Sequence, residues 1–136
     1  MVNKAVLEKR LTKLEQTLRK LKELSSVSWD EYKKNEALQD RAERNLQLAA
    51  QACIDIGSHI IADREYRTPS SYSDIFNVLQ EEGLLPKELA EKMKRIAGFR
   101  NILVHDYLDI DPKIVHTCLG QLNDFKEFAE YIVKIL

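Results

Sequence analysis

The sequence is poor in the residues that break or cross-link a chain. Only 4 Gly and 3 Pro occur in 136 residues. That is too few for collagen, a flexible linker or a β-sandwich with many turns. Two cysteines, Cys53 and Cys118, stand 65 positions apart. They lack the spacing of zinc ligands and are too few for a disulfide scaffold. Both fall among apolar helical positions and read as buried thiols in a reducing compartment. No apolar run approaches the roughly 20 residues that span a bilayer. The charged N-terminal stretch from Lys4 shows no signal peptide. These absences point to a cytoplasmic chain without a membrane. An excess of one charge is missing too, because 21 Lys+Arg stand against 22 Asp+Glu. A protein that coats nucleic acid by bulk charge would be basic overall.

What is present is helical periodicity, and it predicts an all-α fold. The reading is one domain over residues 1–136, an up-and-down antiparallel bundle of about five helices. Leu7, Leu11, Leu14, Leu18 and Leu21 recur at spacings of 4, 3, 4 and 3, one stripe on a helix from about Asn3 to Leu24. The stripe reads as core or as a dimer seam. Ser28 and Glu31 form a capping-box pattern that opens a second helix, expected to continue to about Asp63. Trp29 lies in its first turn as a packing anchor. Residues 64–73 form the main loop. A short third helix follows from Asp74 to Glu82, with Ser73 as cap and Gly83 past its end. Pro86 opens a fourth helix to about His105. Asp111 and Pro112 restart the chain as a fifth helix to the C-terminus.

The segment Arg100-Asn101-Ile102-Leu103-Val104-His105-Asp106-Tyr107 concentrates chemistry at a helix end. An imidazole serves as acid or base near neutral pH, and a guanidinium binds phosphate and stabilises its developing charge. RNA brings its own nucleophile, the 2′-hydroxyl, so phosphodiester cleavage needs neither metal nor cofactor. The same residues also read as a salt-bridged, capped helix end, and their chemistry alone leaves both open. Helical steps put Arg100 and His105 about 140° apart. They meet only if the helix ends near His105 or a second subunit completes the site. Elsewhere, Asp55, His59 and Asp63 share a helix face at i, i+4, i+8. That face reads as a hydrogen-bonded polar strip more readily than as a metal site. His116 reads as structural or exposed, and Tyr72 as packing on the loop or, second to that, lining the cleft.

Arg100, His105 and Tyr107 fit an R-x4-H-x-Y pattern, and the segment resembles the HepT-like proteins of the HEPN superfamily. The stretches 51–61, 69–76 and 99–111 resemble the family's second helix, following loop and motif flanks. The likeness runs from about Ala42 to the C-terminus. It implies an all-helical homodimer whose composite cleft cleaves RNA without a metal. It also implies a toxin–antitoxin pairing with a small MNT-type nucleotidyltransferase. By resemblance, Arg100 and His105 would be catalytic and Asn101 would position RNA or His105. Asp55 would support the His105 site across the bundle. Tyr107 would be adenylylated by the partner, placing bulk and negative charge beside Arg100. A non-catalytic, substrate-binding subunit of a nucleotidyltransferase complex is the alternative, and a plain helical scaffold is a third.

Near-neutrality hides a pattern. Residues 1–24 carry a net +4 and residues 86–107 a net +2, while 25–65, 66–85 and 108–136 carry −3, −2 and −2. Two basic helices bordering one cleft would favour RNA locally while the whole chain stays neutral.

Overall fold

The computed structural model describes residues 3–105 and 109–136. Among these, seven helices and no strand are found: α1 Lys4–Ser25, α2 Trp29–Lys33, α3 Glu36–Asp63, α4 Tyr72–Glu81, α5 Lys87–His105, α6 Pro112–Leu119 and α7 Asn123–Val133. None is long and apolar enough to cross a membrane, among the described residues. The all-α expectation holds, but two of the five expected helices divide.

The second expected helix breaks after Lys33. The Asn35 side chain accepts the Leu38 N–H and so caps a new helix. Asparagine competes for backbone partners in this way, which favours caps over helix interiors. No proline was needed for the break. Gln39 donates to the Tyr32 carbonyl and ties α3 back to α2. The last expected helix breaks at Gly120, which caps the C-terminus of α6. The third begins at Tyr72 rather than Asp74. The extended Ser71, not Ser73, accepts the Asp74 N–H. Ser73 instead donates to the Lys94 carbonyl and holds α4 on α5.

The leucine stripe is core. Leu7, Leu14 and Leu21 are fully buried, with Leu11 and Leu18 packed beside them. Two cross-links show that α1 and α3 run antiparallel. Arg10 meets Asp55 at 3.5 Å near one end, and Arg41 meets Glu23 at 3.0 Å near the other. Deeper in the bundle Phe76 and Phe128 meet edge to face at 5.8 Å and join α4 to α7. Cys53 is buried and Cys118 only partly so, which corrects the reading of two buried thiols. Burial pushes both thiols above their ordinary range.

His116 is structural. Its Nε2 lies 2.8 Å from the Val27 carbonyl, and its ring packs against Trp29 and Tyr32. This pins α6, which begins just after the motif segment, to the α1–α2 turn.

The 64–71 loop is held onto α4 by Arg67. Its guanidinium donates to both carboxylate oxygens of Asp74 and of Glu81 at 2.7–3.1 Å. Hydrogen bonds from Arg67, then from the Ser70 N–H and Asn77, hold the Asp74 carboxyl well below its usual range. Arg67 lowers Glu81 in the same way. Carboxyls depressed in the fold stabilise it above their unfolded values and lose that contribution as pH falls through their folded values. Below about pH 4 the loop should therefore loosen from α4 before the core melts. The Ser70 and Asn77 amide signals should shift in an NMR acid titration, and Arg67→Ala should show the loosened signals already at neutral pH. Unmoved signals in the variant would separate Arg67 from loop placement.

Candidate active site

The site is built on the last two turns of α5. Leu89, Ala90, Met93, Ala97 and Leu103 bury one face of that helix. Arg100 lies at the edge of the buried face and is partly covered, whereas Asn101 and His105 are exposed. The helix stays regular through His105, its last residue. Arg100 and His105 therefore diverge within one chain, as the helical step requires. Among the described residues, the His105 side chain makes no hydrogen bond or ion pair. Tyr107 lies outside the described residues, together with Asp106 and Leu108.

Arg100 is fixed from three sides. Its Nε donates to Gln51 Oε1 of α3 at 2.8 Å. One terminal nitrogen donates to Asn101 Oδ1 at 3.2 Å. The Tyr72 ring lies under the guanidinium, with Cζ 5.3 Å from the ring centroid. Stacking on an aromatic face holds a planar cation without consuming its N–H donors. Donors on the terminal nitrogens remain for an oxyanion. Tyr72 packs on Arg100 rather than on the loop, and at 43% exposure it lies beside the candidate site, nearer the second of its two readings.

Behind Arg100 stands a polar relay on α3. Gln51 accepts from Arg100 and donates to Asp55 Oδ1 at 2.8 Å. Asp55 in turn faces Arg10 of α1 at 3.5 Å. Within this chain Asp55 therefore touches Gln51 and Arg10, and no contact with His105 is found among the described residues. The reason is geometric. The polar strip of α3 packs against the Arg100 edge of α5, and His105 points about 140° away. Gln51 and Arg10 were missed. Gln51 lies four residues before Asp55, so the i, i+4 spacing on α3 was the available signal.

His59 is the next residue on that strip. Its Nε2 is buried and has no hydrogen-bond partner among the described residues. No cluster of three or more His, Cys, Asp or Glu side chains is placed to hold a metal ion, again among the described residues. A cavity of about 570 Å³ opens elsewhere, between α3, α5, α6 and α7, lined by Leu46, Arg95, Phe99, Cys118 and Phe125 among others. Arg100 and His105 do not line it.

The all-helical bundle is shared with known proteins. The chain superposes on the tri-AMPylated HEPN toxin of Shewanella oneidensis, solved in complex with its MNT antitoxin. The TM-score is 0.86 at 28% identity, over 96% of this chain and 98% of that one. YutE of Bacillus subtilis has the same fold, with a TM-score of 0.85 at 24% identity. The class is thus the HEPN fold.

The sequence profile described as "Ribonuclease HepT-like" matches residues 14–132. The S. oneidensis protein named mRNA nuclease HepT is 34% identical over 125 residues, covering 90% of this chain and 94% of the relative. The tRNA nuclease HepT of Aphanizomenon flos-aquae is 36% identical over 121 residues, covering 88% and 81%. The chain belongs to the HepT-like ribonuclease family.

Proposed function

We propose that this protein is a metal-independent endoribonuclease, the toxin of a toxin–antitoxin pair, working in the cytoplasm as a homodimer. The observation that carries the reading is the anchored Arg100. It is a partly buried guanidinium, oriented by Gln51 and Tyr72, with donors left for a phosphate. Arg100 holds the scissile phosphate and stabilises the charge that builds on its non-bridging oxygens. His105 accepts the 2′-hydroxyl proton as that oxygen attacks phosphorus. The 5′-oxygen leaves with a proton donated by water or by a protonated His105 imidazole, giving a 2′,3′-cyclic phosphate and a 5′-hydroxyl. Asn101, bound to Arg100, orients the phosphate or His105. Because Arg100 and His105 diverge on one helix, a composite cleft between two subunits is what gathers a complete set. Ile102, next to Asn101 and 44% exposed, supports a subunit contact there.

The partner is an MNT-type nucleotidyltransferase, as in the S. oneidensis complex. It neutralises the toxin by adenylylating Tyr107, two residues past His105. A phosphate placed there competes with substrate for Arg100.

Two measurements test this. Purified protein in the presence of a chelator should cleave single-stranded RNA to cyclic-phosphate ends. Cleavage that appears only with added metal would overturn metal independence. Co-expression with the neighbouring nucleotidyltransferase should add the mass of one or more AMP units to the peptide carrying Tyr107. An unmodified tyrosine in a silenced toxin would overturn the modification.

The α3 relay makes its own prediction. Gln51→Leu releases the Nε anchor while leaving charge and Tyr72 in place. The cleavage rate should fall about 10-fold, since a misplaced catalytic group loses orientation rather than chemistry. A full rate in Gln51→Leu would show that Arg100 needs no support from α3.

A further inference from the structure

Charge is segregated around α1. Take the buried Leu7 as the zero of a helix advancing 100° per residue. Arg10, Lys13, Lys20 and Lys9 then fall at about 300°, 240°, 220° and 200°. Glu8, Glu15 and Glu23 fall at about 100°, 80° and 160°, on the other flank. These glutamates engage Lys4, Arg19 and Arg41 at 3.9, 2.6 and 3.0 Å. Lys9, Lys13 and Lys20 are exposed and make no ion pair among the described residues. One flank of α1 is therefore a row of cations with no carboxylate of its own.

That flank leads to the candidate active site. Its inner edge is Arg10, which closes the relay from Asp55 through Gln51 to Arg100. The α1–α3 cross-links pair position 10 with 55 and 23 with 41. In that antiparallel register Lys13 stands level with the Gln51–Ala52 step, the level at which Gln51 holds Arg100. A shallow groove of about 750 Å³ follows the flank, lined by Val6, Lys9, Arg10, Thr12, Lys13 and Gln16. Lys9 to Lys20 covers about 16 Å of helix, the length of a few nucleotides.

We infer that the basic flank of α1 is a track for the phosphate backbone of single-stranded RNA, leading the strand to Arg100. The inference rests on the nuclease reading above and adds where the substrate lies. Lysines that hold no internal carboxylate bind phosphate without breaking an ion pair. Their flexible stems suit an irregular single strand. Contacts of this kind position the strand and carry no base information. The track accordingly raises affinity for long RNA and leaves sequence choice to the cleft.

The probe is a fluorescein-labelled single-stranded RNA of about 20 nucleotides, longer than a single basic groove covers. Binding is read by anisotropy on a His105→Ala background, so that the RNA stays intact. The triple variant Lys9→Gln/Lys13→Gln/Lys20→Gln should bind at least ~10-fold more weakly at about 50 mM salt. Its log-affinity against log-salt slope should be shallower by about 2, near 0.7 for each lost phosphate contact. Lys13→Gln alone should lower the slope by about 0.7. The control Lys4→Gln/Arg19→Gln/Lys22→Gln removes equal charge from the other flank and should stay within about 2-fold of the parent, since screened distant charge adds little. Equal losses in the two triple variants would reduce the effect to bulk charge and overturn the track. An unchanged slope would overturn it as well. So would a track variant that keeps its RNA affinity but no longer co-purifies with the nucleotidyltransferase, since the flank would then be a protein contact. Failure of the nuclease reading would look different: salt-dependent binding through the track, with no cleavage by the wild type.

Discussion

Arg100→Ala is expected to lower RNA cleavage by about 10²–10³-fold, the loss typical when one stabiliser of transition-state charge is removed. Growth inhibition on expression should disappear with it. The fold should survive. Arg100 is partly covered, and its deletion leaves Gln51 able to keep its bond to Asp55. The cost is about 1 kcal/mol, that of one side-chain hydrogen bond. Arg100→Lys is the sharper probe. It keeps the charge but loses the planar fork that lets one nitrogen bind Gln51 while others face the phosphate. If Arg100 works as a positioned fork, lysine should recover binding and little of the rate. If it works as a bare charge, lysine should recover most of both. Wild-type cleavage by Arg100→Ala would remove the residue from the reaction.

Gly57→Ala is expected to destabilise the protein by about 1–3 kcal/mol, the usual cost of overpacking a tight interface. The opposite would be expected from helix propensity alone, since alanine gains about 1 kcal/mol over glycine inside a helix. The structure decides between them. A Cβ on Gly57 would stand 2.5 Å from Ile75 Cγ2 and 3.3 Å from Leu79 Cδ1. Ile75 is buried and β-branched, so it cannot swing clear, and α4 must move. Moving α4 also moves Tyr72, the first residue of that helix and the platform under Arg100. Gly57→Ala should thus lower both the melting temperature and the cleavage rate of the folded fraction. Ile75→Leu keeps the volume but has no Cγ2 branch. It should restore part of the stability when combined with Gly57→Ala. Simple additivity of the two substitutions would place the cause elsewhere.

How much of this was legible in the sequence depends on the range of the interactions concerned. The stripe from Leu7 to Leu21 repeats within one helix, so its burial followed from spacing. The Asp111–Pro112 restart and the turn at Gly83 are local chemistry too. Gly83 takes the positive φ of 77° that glycine tolerates. The break at Asn35 was also local: asparagine is among the preferred N-caps, and its side chain accepts the Leu38 N–H that opens α3. The choice of Ser71 over Ser73 turned on a contact with α5, 21 residues away from Ser73.

The candidate site divides along the same line. Arg100, Asn101 and His105 are near neighbours in sequence, and the motif flanks marked them together. Their helical divergence was likewise computable from the step per residue. The supports of Arg100 were not. Gln51 is 49 residues away from it in the chain, and Tyr72 arrives on a different helix. A glutamine and a tyrosine carry no signal of their own until a fold sets them against a guanidinium.

By itself the sequence determined an all-helical chain, its motif and the uneven distribution of its charge, because periodicity, capping and composition act within a few residues. The packing of α3 and α4 against α5 decided which polar groups orient Arg100. The antiparallel register of α1 on α3 decided that its cationic flank adjoins them. Those are contacts between segments far apart in the chain, and only burial of the common core brings such segments to one place.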